Sequence, residues 1–217
     1  MINPLKLTWR SESPIIVLIA LSAAASVWFY QNMPAIVPIH WGLSGQADGY
    51  GSRGFAAFFF PALILGLYLL LTFIPNLDPK KNIYAEFKKT YWILRLTFIL
   101  FFILIYFTAS LVGVGYNLPV GQIVCGGIGL LFIIIGACLT KIKPNWFVGI
   151  RTPWTLSDDI VWEKTHRLGG KLFMLAGLGF IASITLPAGW NLGLGLGVTF
   201  LAIIITVVYS YWLSRQN

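Results

Sequence analysis

Residues 92–112 read WILRLTFILFFILIYFTASLV, an apolar run interrupted by a single charged residue, Arg95. A helix needs about 20 such residues to cross a hydrocarbon core about 30 Å thick. Strands of a membrane barrel need only about half that number, and an open sheet cannot satisfy its backbone groups in lipid. The run therefore predicts a membrane-spanning α-helix.

Five further runs of the same character predict six transmembrane helices in all. Of the 217 residues, 58% are hydrophobic and 10% are charged, whereas soluble domains carry roughly 25% charged residues. This composition excludes an ordinary soluble domain and predicts an all-α integral membrane protein, with 1–217 forming a single membrane domain. The predicted spans are 15–30, 55–74, 92–112, 120–139, 172–186 and 192–213.

The positions of lysine and arginine predict the orientation of these helices. Of the 15 basic residues, all but Arg53 fall in the tails and in alternate connections, which leaves 14 on one side. Cytoplasmic connections carry the excess of basic residues, so both termini and the connection 140–171 are expected in the cytoplasm, and 31–54 outside. The same asymmetry explains the net charge of +8, so no direct nucleic-acid binding is predicted.

The order of helices and connections also allows an internal repeat. Each group of three helices has a long proline-containing connection after its first span, and a repeated unit of three helices must invert in the membrane. The sequence therefore favours a 3+3 inverted repeat. Small residues such as Gly193 and Gly197 support close helix packing, within the chain or between copies in a homo-oligomer.

The outer connection 31–54 is rich in glycine and carries several polar and aromatic side chains. Glycine adopts positive φ without steric cost, so a tightly folded loop is expected. One histidine and one aspartate do not complete the protein ligands of a metal ion, so no metal site is predicted. The polar side chains either hydrogen-bond to one another at the membrane surface or contact a ligand. They are His40, Trp41, Asp48, Tyr50 and Arg53.

The connection 140–171 contains the segment 145–170, NWFVGIRTPWTLSDDIVWEKTHRLGG. Thr155 and Ser157 are predicted N-caps of a short amphipathic helix at about 158–168, which the two final glycines would end. An aromatic belt at the membrane interface accounts for the three tryptophans. It does not account for the backbone constraints and the guanidinium of the GIRTP stretch, which indicate a further role.

No catalytic group and no cofactor site are predicted. His40 and His166 are expected on opposite sides of the membrane, and neither has a nucleophile at a recognisable spacing. The predicted spans contain no Asp or Glu, which disfavours a cation-coupled transporter, and Arg95 is expected to extend to the cytoplasmic surface. A transporter, channel or flippase for a peptide or lipid, and a membrane enzyme acting at one face, remain alternatives.

Two motifs resemble those of a known family. NWFVGIRTPWTLS at 145–157, followed by Trp162-x-Lys164-x-His166-Arg167-x-Gly-Gly, resembles the signature of the SdpI family of bacterial membrane immunity proteins. PIHWG at 38–42 and GQADGYG at 45–51 resemble the domain that commonly precedes that signature. Together the two resemblances extend over nearly the whole chain.

The resemblance implies a multi-pass protein of the bacterial inner (cytoplasmic) membrane that protects the cell from a secreted antimicrobial peptide of the cannibalism-toxin type. It also implies signalling, in which the protein holds a small helix-turn-helix autorepressor at the membrane. The polar residues of the outer connection would meet the toxin. The docking residues for the repressor would be Asn145, Gly149, Arg151, Thr152, Pro153, Trp154, Trp162, Lys164, His166 and Arg167.

Overall fold

The structure is a computed structural model that describes residues 4–42, 44–186 and 190–216. Within these ranges the chain forms seven α-helices, one short 3-10 helix at Lys81–Ala85 and one two-stranded hairpin. The helices are α1 Trp9–Asn32, α2 Arg53–Leu77, α3 Lys88–Gly113, α4 Val120–Leu139, α5 Pro153–Ser157, α6 Asp159–Ser183 and α7 Trp190–Ser214. The strands, both between α1 and α2, are β1 Ile36–Trp41 and β2 Ala47–Ser52.

The prediction of a helical membrane protein is confirmed. In the described part of the chain, five helices are long and apolar enough to cross a bilayer, namely α1, α2, α3, α4 and most of α7. The sixth span is not confirmed as predicted, because the apolar run 172–186 lies largely in the second half of α6. The first half of α6 carries the charged residues of the signature segment.

The predicted end of the short helix at 158–168 was wrong, because α6 continues through Gly169 and Gly170. Both glycines are buried in the interior of the bundle. A β-carbon on Gly170 would lie 2.6 Å from the carbonyl oxygen of Gly136 in α4. These glycines therefore permit a close approach of two helices, a role that can be mistaken for a helix stop in a single sequence.

The helix α1 begins six residues before the predicted span. Thr8 and Ser11 form a reciprocal capping box that fixes the start at Trp9, and Pro14 is accommodated inside the helix. Glu12 therefore lies in the first turn of α1, where it is buried. Glu12 thus belongs to a helix that is long and apolar enough to cross a membrane, although it lies outside the predicted span 15–30.

The helices pack in two groups of three. In the first group α1, α2 and α3 contact one another, in the second α4, α6 and α7 do so, and α3 joins the groups through α4. Ile15, Ile64 and Ile99 form the centre of the first group. This grouping is compatible with the 3+3 inverted repeat, which stays a prediction.

Polar structure collects at the two ends of this bundle. We call the end with β1 and β2 the hairpin end, and the end with residues 140–171 and the connection between α2 and α3 the signature end. By the charge distribution the signature end is the predicted cytoplasmic side.

Candidate functional sites at the two ends of the bundle

The hairpin end is built from an antiparallel pair of strands that the sequence analysis did not predict. Gly45 takes a φ of 74° in the turn between them, a left-handed conformation that favours glycine. A β-carbon on Gly42 would lie 2.6 Å from Oδ2 of Asp48. The glycines of this motif therefore give the Asp48 carboxylate room to fold back over the turn.

His40 and Asp48 face each other across the hairpin. His40 Nδ1 and Asp48 Oδ1 are 2.5 Å apart, and the side chains are 71% and 54% exposed. The structure shows the first of the two alternatives left open by the sequence, since the groups bond to each other, and both stay accessible. Exposed pairs of this kind add little stability, so the pair contributes little to holding the fold.

The other predicted residues of the hairpin end lie around this pair. Tyr50 is 62% exposed and is paired with Pro38 in the ladder, and Trp41 is half-buried. Arg53 begins α2, with its guanidinium 4.8 Å from the centre of the Tyr30 ring. Arg53 is therefore held by an aromatic ring of α1 and does not join the His40–Asp48 pair.

The signature end is organised around the buried side chain of Asn145. Its Oδ1 accepts from the backbone N–H groups of Phe147 at 2.9 Å and Val148 at 2.7 Å. Its Nδ2 donates to the carbonyl oxygens of Lys143 and Val148, each at 2.9 Å. Asn145 is 1% exposed, so it shapes the loop and cannot itself contact a partner.

Two residues outside the predicted site complete this network. Tyr84, in the 3-10 helix, donates to Asp78 at 3.0 Å and to Oδ1 of Asn145 at 3.2 Å. Asp78 also accepts from the backbone N–H of Trp146 at 2.9 Å, and burial raises the pKa of the Tyr84 phenol. These bonds fix the connection between α2 and α3 to the signature segment. The sequence did not predict this contact, because the bonded residues are more than 60 positions apart.

His166 links the signature loop to α6 in its neutral form. Its Nε2 accepts from the backbone N–H of Ile150 at 2.9 Å, and its Nδ1 donates to the carbonyl oxygen of Trp162 at 2.8 Å. The ring stacks on Trp162 with a centroid separation of 4.0 Å. Burial lowers the pKa of His166, which precedes the predicted span 172–186, to about 4.

Gly149 explains part of the GIRTP stretch. It has a φ of 114°, and a β-carbon there would collide with Nε2 of His166. Only glycine satisfies both conditions without strain. Its place in the motif therefore follows from the loop-to-helix hydrogen bond that His166 makes.

The capping of the signature helices differs from the prediction. Thr152 and Thr155 form a capping box at the start of α5, and Asp158 caps α6 by accepting from Ile160 and Val161. Thr155 and Ser157 were predicted as caps because the short helix α5, with Pro153 at its first position, was not anticipated. Both Thr152 and Thr155 are buried.

A smaller set of predicted residues is accessible at the signature end. Arg151 is exposed and donates to the carbonyl oxygen of Trp146 at 2.9 Å, and Arg167 pairs with Glu163 at 2.9 Å on the exposed face of α6. Trp154 is half-buried against Tyr211, with ring centroids 5.1 Å apart. The exposed side chains of the segment include Trp146, Phe147, Arg151, Pro153, Ile160, Glu163, Lys164 and Arg167.

Arg95 does not extend to the surface as predicted. It is 2% exposed, and its Nη2 lies 2.6 Å from Oε2 of Glu12 and 2.7 Å from Oγ1 of Thr72. Tyr68 donates to the same Glu12 oxygen at 3.1 Å. The partner that keeps Arg95 inside is 83 residues away in the sequence, and it was assigned to the N-terminal tail.

Comparison with known proteins supports the two motif resemblances. Residues 141–210 match the SdpI/YfhL protein family, and residues 17–65 match a domain of unknown function, DUF1648. The chain is similar to Immunity protein SdpI of Bacillus subtilis (strain 168), with 27% identity over 197 residues. That alignment covers 90% of this chain and 92% of the relative. No solved structure matches the chain significantly.

The apolar helices define a helical membrane protein. Its residues 141–210 are similar to the SdpI/YfhL protein family, and residues 17–65 are similar to the DUF1648 domain. The DUF1648 match includes β1, β2 and the His40–Asp48 pair. The SdpI/YfhL match begins at Lys141 and includes the loop, α5, α6 and most of α7. The hairpin thus falls in the DUF1648 match and the signature segment in the SdpI/YfhL match, whereas the connection between α2 and α3 lies outside both.

Proposed function

We propose that this protein is a membrane immunity and signalling protein that protects a bacterium from a secreted antimicrobial peptide of the cannibalism-toxin type. The similarity to an immunity protein over 90% of the chain supports this function. In this proposal the protein lies in the inner membrane with both termini in the cytoplasm. The hairpin end meets the toxin, and the signature end holds a helix-turn-helix autorepressor.

The observation that carries the signalling half is the division of the signature segment into a fixed interior and an exposed surface. Asn145, Thr152, Trp162 and His166 are buried and hydrogen-bonded. Their bonds hold the backbone that displays Arg151 and the aromatic rings beside it. Exposed arginine and tryptophan on a rigid support are typical of interface hot spots.

The hairpin end fits the outer role because its polar groups are accessible. His40, Asp48 and Tyr50 share a short strand pair whose geometry is set by backbone pairing and by glycines. Changing these side chains leaves the backbone ladder in place. The proposal therefore expects protection to depend on them more than folding does.

The test is the exchange of Arg151 for alanine, with Lys141→Ala as the matched control. Both residues are exposed cations of the signature end, and Lys141 lies outside the proposed docking residues. Arg151→Ala should reduce toxin-dependent recruitment of the repressor to membranes at least tenfold, as loss of a hot spot does. Membrane insertion and the melting temperature should stay unchanged.

Recruitment is measured as the membrane-bound fraction of a labelled repressor, and protection as survival in the presence of purified toxin. Unchanged recruitment by Arg151→Ala would refute the docking role. Equal loss with Lys141→Ala would show that only the positive charge of this end matters. Killing of cells that express the intact protein would refute the immunity role.

One observation favours a second candidate, a transporter or flippase for a peptide or lipid. Buried ionisable groups in membrane helices often mark transport pathways, and Glu12 with Arg95 is such a pair. The two charges neutralise each other, which disfavours a free cation site at Glu12. Solute or lipid flux in proteoliposomes that is lost with Glu12→Gln would support this candidate.

A further inference from the structure

A cavity of about 270 Å³ opens at the signature end between the chain before α1 and the start of α3. It lies outside the signature segment and outside the hairpin. Its walls come from residues 5–8, the first turn of α1 and the first two turns of α3. At about 30 Å³ per water molecule, its volume is ample for a phosphate group.

The charge of the cavity wall is strongly positive. Lys6, Lys88, Lys89 and Arg95 line it, and the acidic group in its lining is Glu12. Four cations against one carboxylate give a net charge of +3. The three lysines are exposed at the rim, whereas Arg95 and Glu12 are buried. A negatively charged ligand is therefore favoured, and a cation is repelled.

Arg95 retains an unused donor in this wall. Its two terminal nitrogens bond to Glu12 and Thr72, but its buried Nε has no hydrogen-bond partner among the described residues. A buried donor without a partner costs about 1–3 kcal/mol. Arg95 lines the cavity, and an oxygen atom of a ligand that reaches this buried nitrogen would supply the acceptor, where the charge of Arg95 strengthens the bond.

The rest of the wall and its depth indicate a ligand with an apolar part. Leu5, Leu7 and Trp92 line the cavity beside the lysines. Trp9 follows the lining residue Thr8 and is 76% exposed, and exposed tryptophan at the end of a membrane helix lies at headgroup depth. The cavity therefore opens at the depth of phospholipid headgroups, and its wall contains both basic and apolar side chains.

We propose that this cavity binds the phosphate group of an anionic phospholipid. Lys88 and Lys89 contact the phosphate at the rim, and Arg95 donates from below. The site differs from diffuse attraction of a basic surface to anionic lipid, because it depends on the lysines that line the cavity. Lys80 and Lys81 carry equal charge on the connection just before α3 without being part of the cavity wall.

The test uses the full-length protein in neutral detergent and two double variants, Lys88→Ala with Lys89→Ala and Lys80→Ala with Lys81→Ala. Calorimetric titration with a short-chain phosphatidylglycerol should show saturable binding. The 88/89 variant should bind at least tenfold more weakly, and the 80/81 variant within about twofold of the unchanged protein. Melting temperatures of both variants check that the fold is retained.

Three ligand arms identify the source of the phosphate. Phosphatidylglycerol should bind more tightly than phosphatidylcholine of equal chain length and more tightly than inorganic phosphate. Equal affinity for inorganic phosphate would overturn the lipid assignment and leave a soluble anion as the ligand. Equal weakening in the two double variants, or no saturable binding, would overturn the site itself.

Discussion

The hairpin end and the signature end use the same residue types in opposite ways. At the hairpin end, His40 pairs with Asp48 while both remain largely exposed. At the signature end, His166 is 1% exposed, and both of its ring nitrogens are bonded to backbone groups. His40 is exposed on a hairpin that backbone hydrogen bonds hold together. His166 is buried, and its own hydrogen bonds help to hold the signature loop.

This difference separates two meanings of a polar motif in an apolar chain. Most residues of the motif in the signature segment have a structural role. Asn145 and His166 accept hydrogen bonds from backbone N–H groups, and Gly149 takes a positive φ. Fewer side chains of the segment, such as Arg151, are exposed. In the hairpin motif the glycines set the conformation, and the side chains of His40, Asp48 and Tyr50 remain accessible.

Among the variants that test this comparison, Asn145→Ala is expected to have the largest effect on stability. The change removes four hydrogen bonds to loop backbone and leaves buried N–H and C=O groups unpaired, at a cost of about 3 kcal/mol in the free energy of unfolding. Limited proteolysis in detergent should show faster cleavage within 143–152, and repressor recruitment should fall with it.

The control for this change is Asn82→Ala, at an exposed asparagine of the neighbouring 3-10 helix. It should leave the cleavage rate of the signature loop unchanged. If Asn145→Ala leaves the loop equally resistant to protease, then the bonds of Asn145 do not hold the loop. The contrast between a fixed interior and a displayed surface would then fail.

A smaller effect is expected from acid. The pKa of His166 is lowered to about 4 by burial, against about 6.5 in an unfolded chain. The stabilising contribution of the neutral ring is complete above pH 6.5 and is lost as the pH falls toward 4. Between pH 7 and pH 5 the opening free energy of the loop should fall by about 2 kcal/mol.

Hydrogen exchange of the Ile150 amide measures this change, after correction for the intrinsic dependence of exchange on pH. Protection at pH 5 should be roughly 20-fold below that at pH 7. His166→Gln should remove the pH dependence, and His40→Gln at the hairpin end should retain it. A dependence that persists in His166→Gln would assign the titration to another group.

The smallest structural effect is expected from His40→Ala and Asp48→Ala. Because the pair is exposed, the melting temperature should change by no more than about 2 °C. Protection from toxin should nevertheless weaken in both variants, measured as survival against toxin concentration. Ser44→Ala, in the turn of the same hairpin, is the matched control. Full protection in both variants would show that the His40–Asp48 pair has no role in protection from the toxin.

The sequence predicted the apolar helices well because length and hydropathy are local properties. The two motifs also lie in the segments that match the SdpI/YfhL protein family and the DUF1648 domain. The Glu12–Arg95 pair was missed because its members are 83 residues apart, and Glu12 precedes the first strongly apolar residues. The hairpin was missed because its strands contain two glycines and a proline, which are depleted in strands.

The continuous helix α6 was missed for a different physical reason. In soluble proteins paired glycines often end a helix, because their backbone is conformationally free. Inside a membrane they often lie where two helices pack closely, because they have no side chain. Gly169 and Gly170 allow both interpretations until the neighbouring helix is known. The start of the neighbour, α4, was predicted correctly at Val120, yet nothing in its sequence shows which helix it meets.

The glycine contacts between α4 and α6 restrict how the second group of helices can move. A β-carbon on Gly129 or Gly136 would lie 2.7 Å or 2.5 Å from a carbonyl oxygen of α6, so the two backbones meet directly. Neither helix can rotate or slide alone without separating these surfaces. A displacement of one end of α6 would therefore move α4 with it, as a stiff pair about 30 Å long.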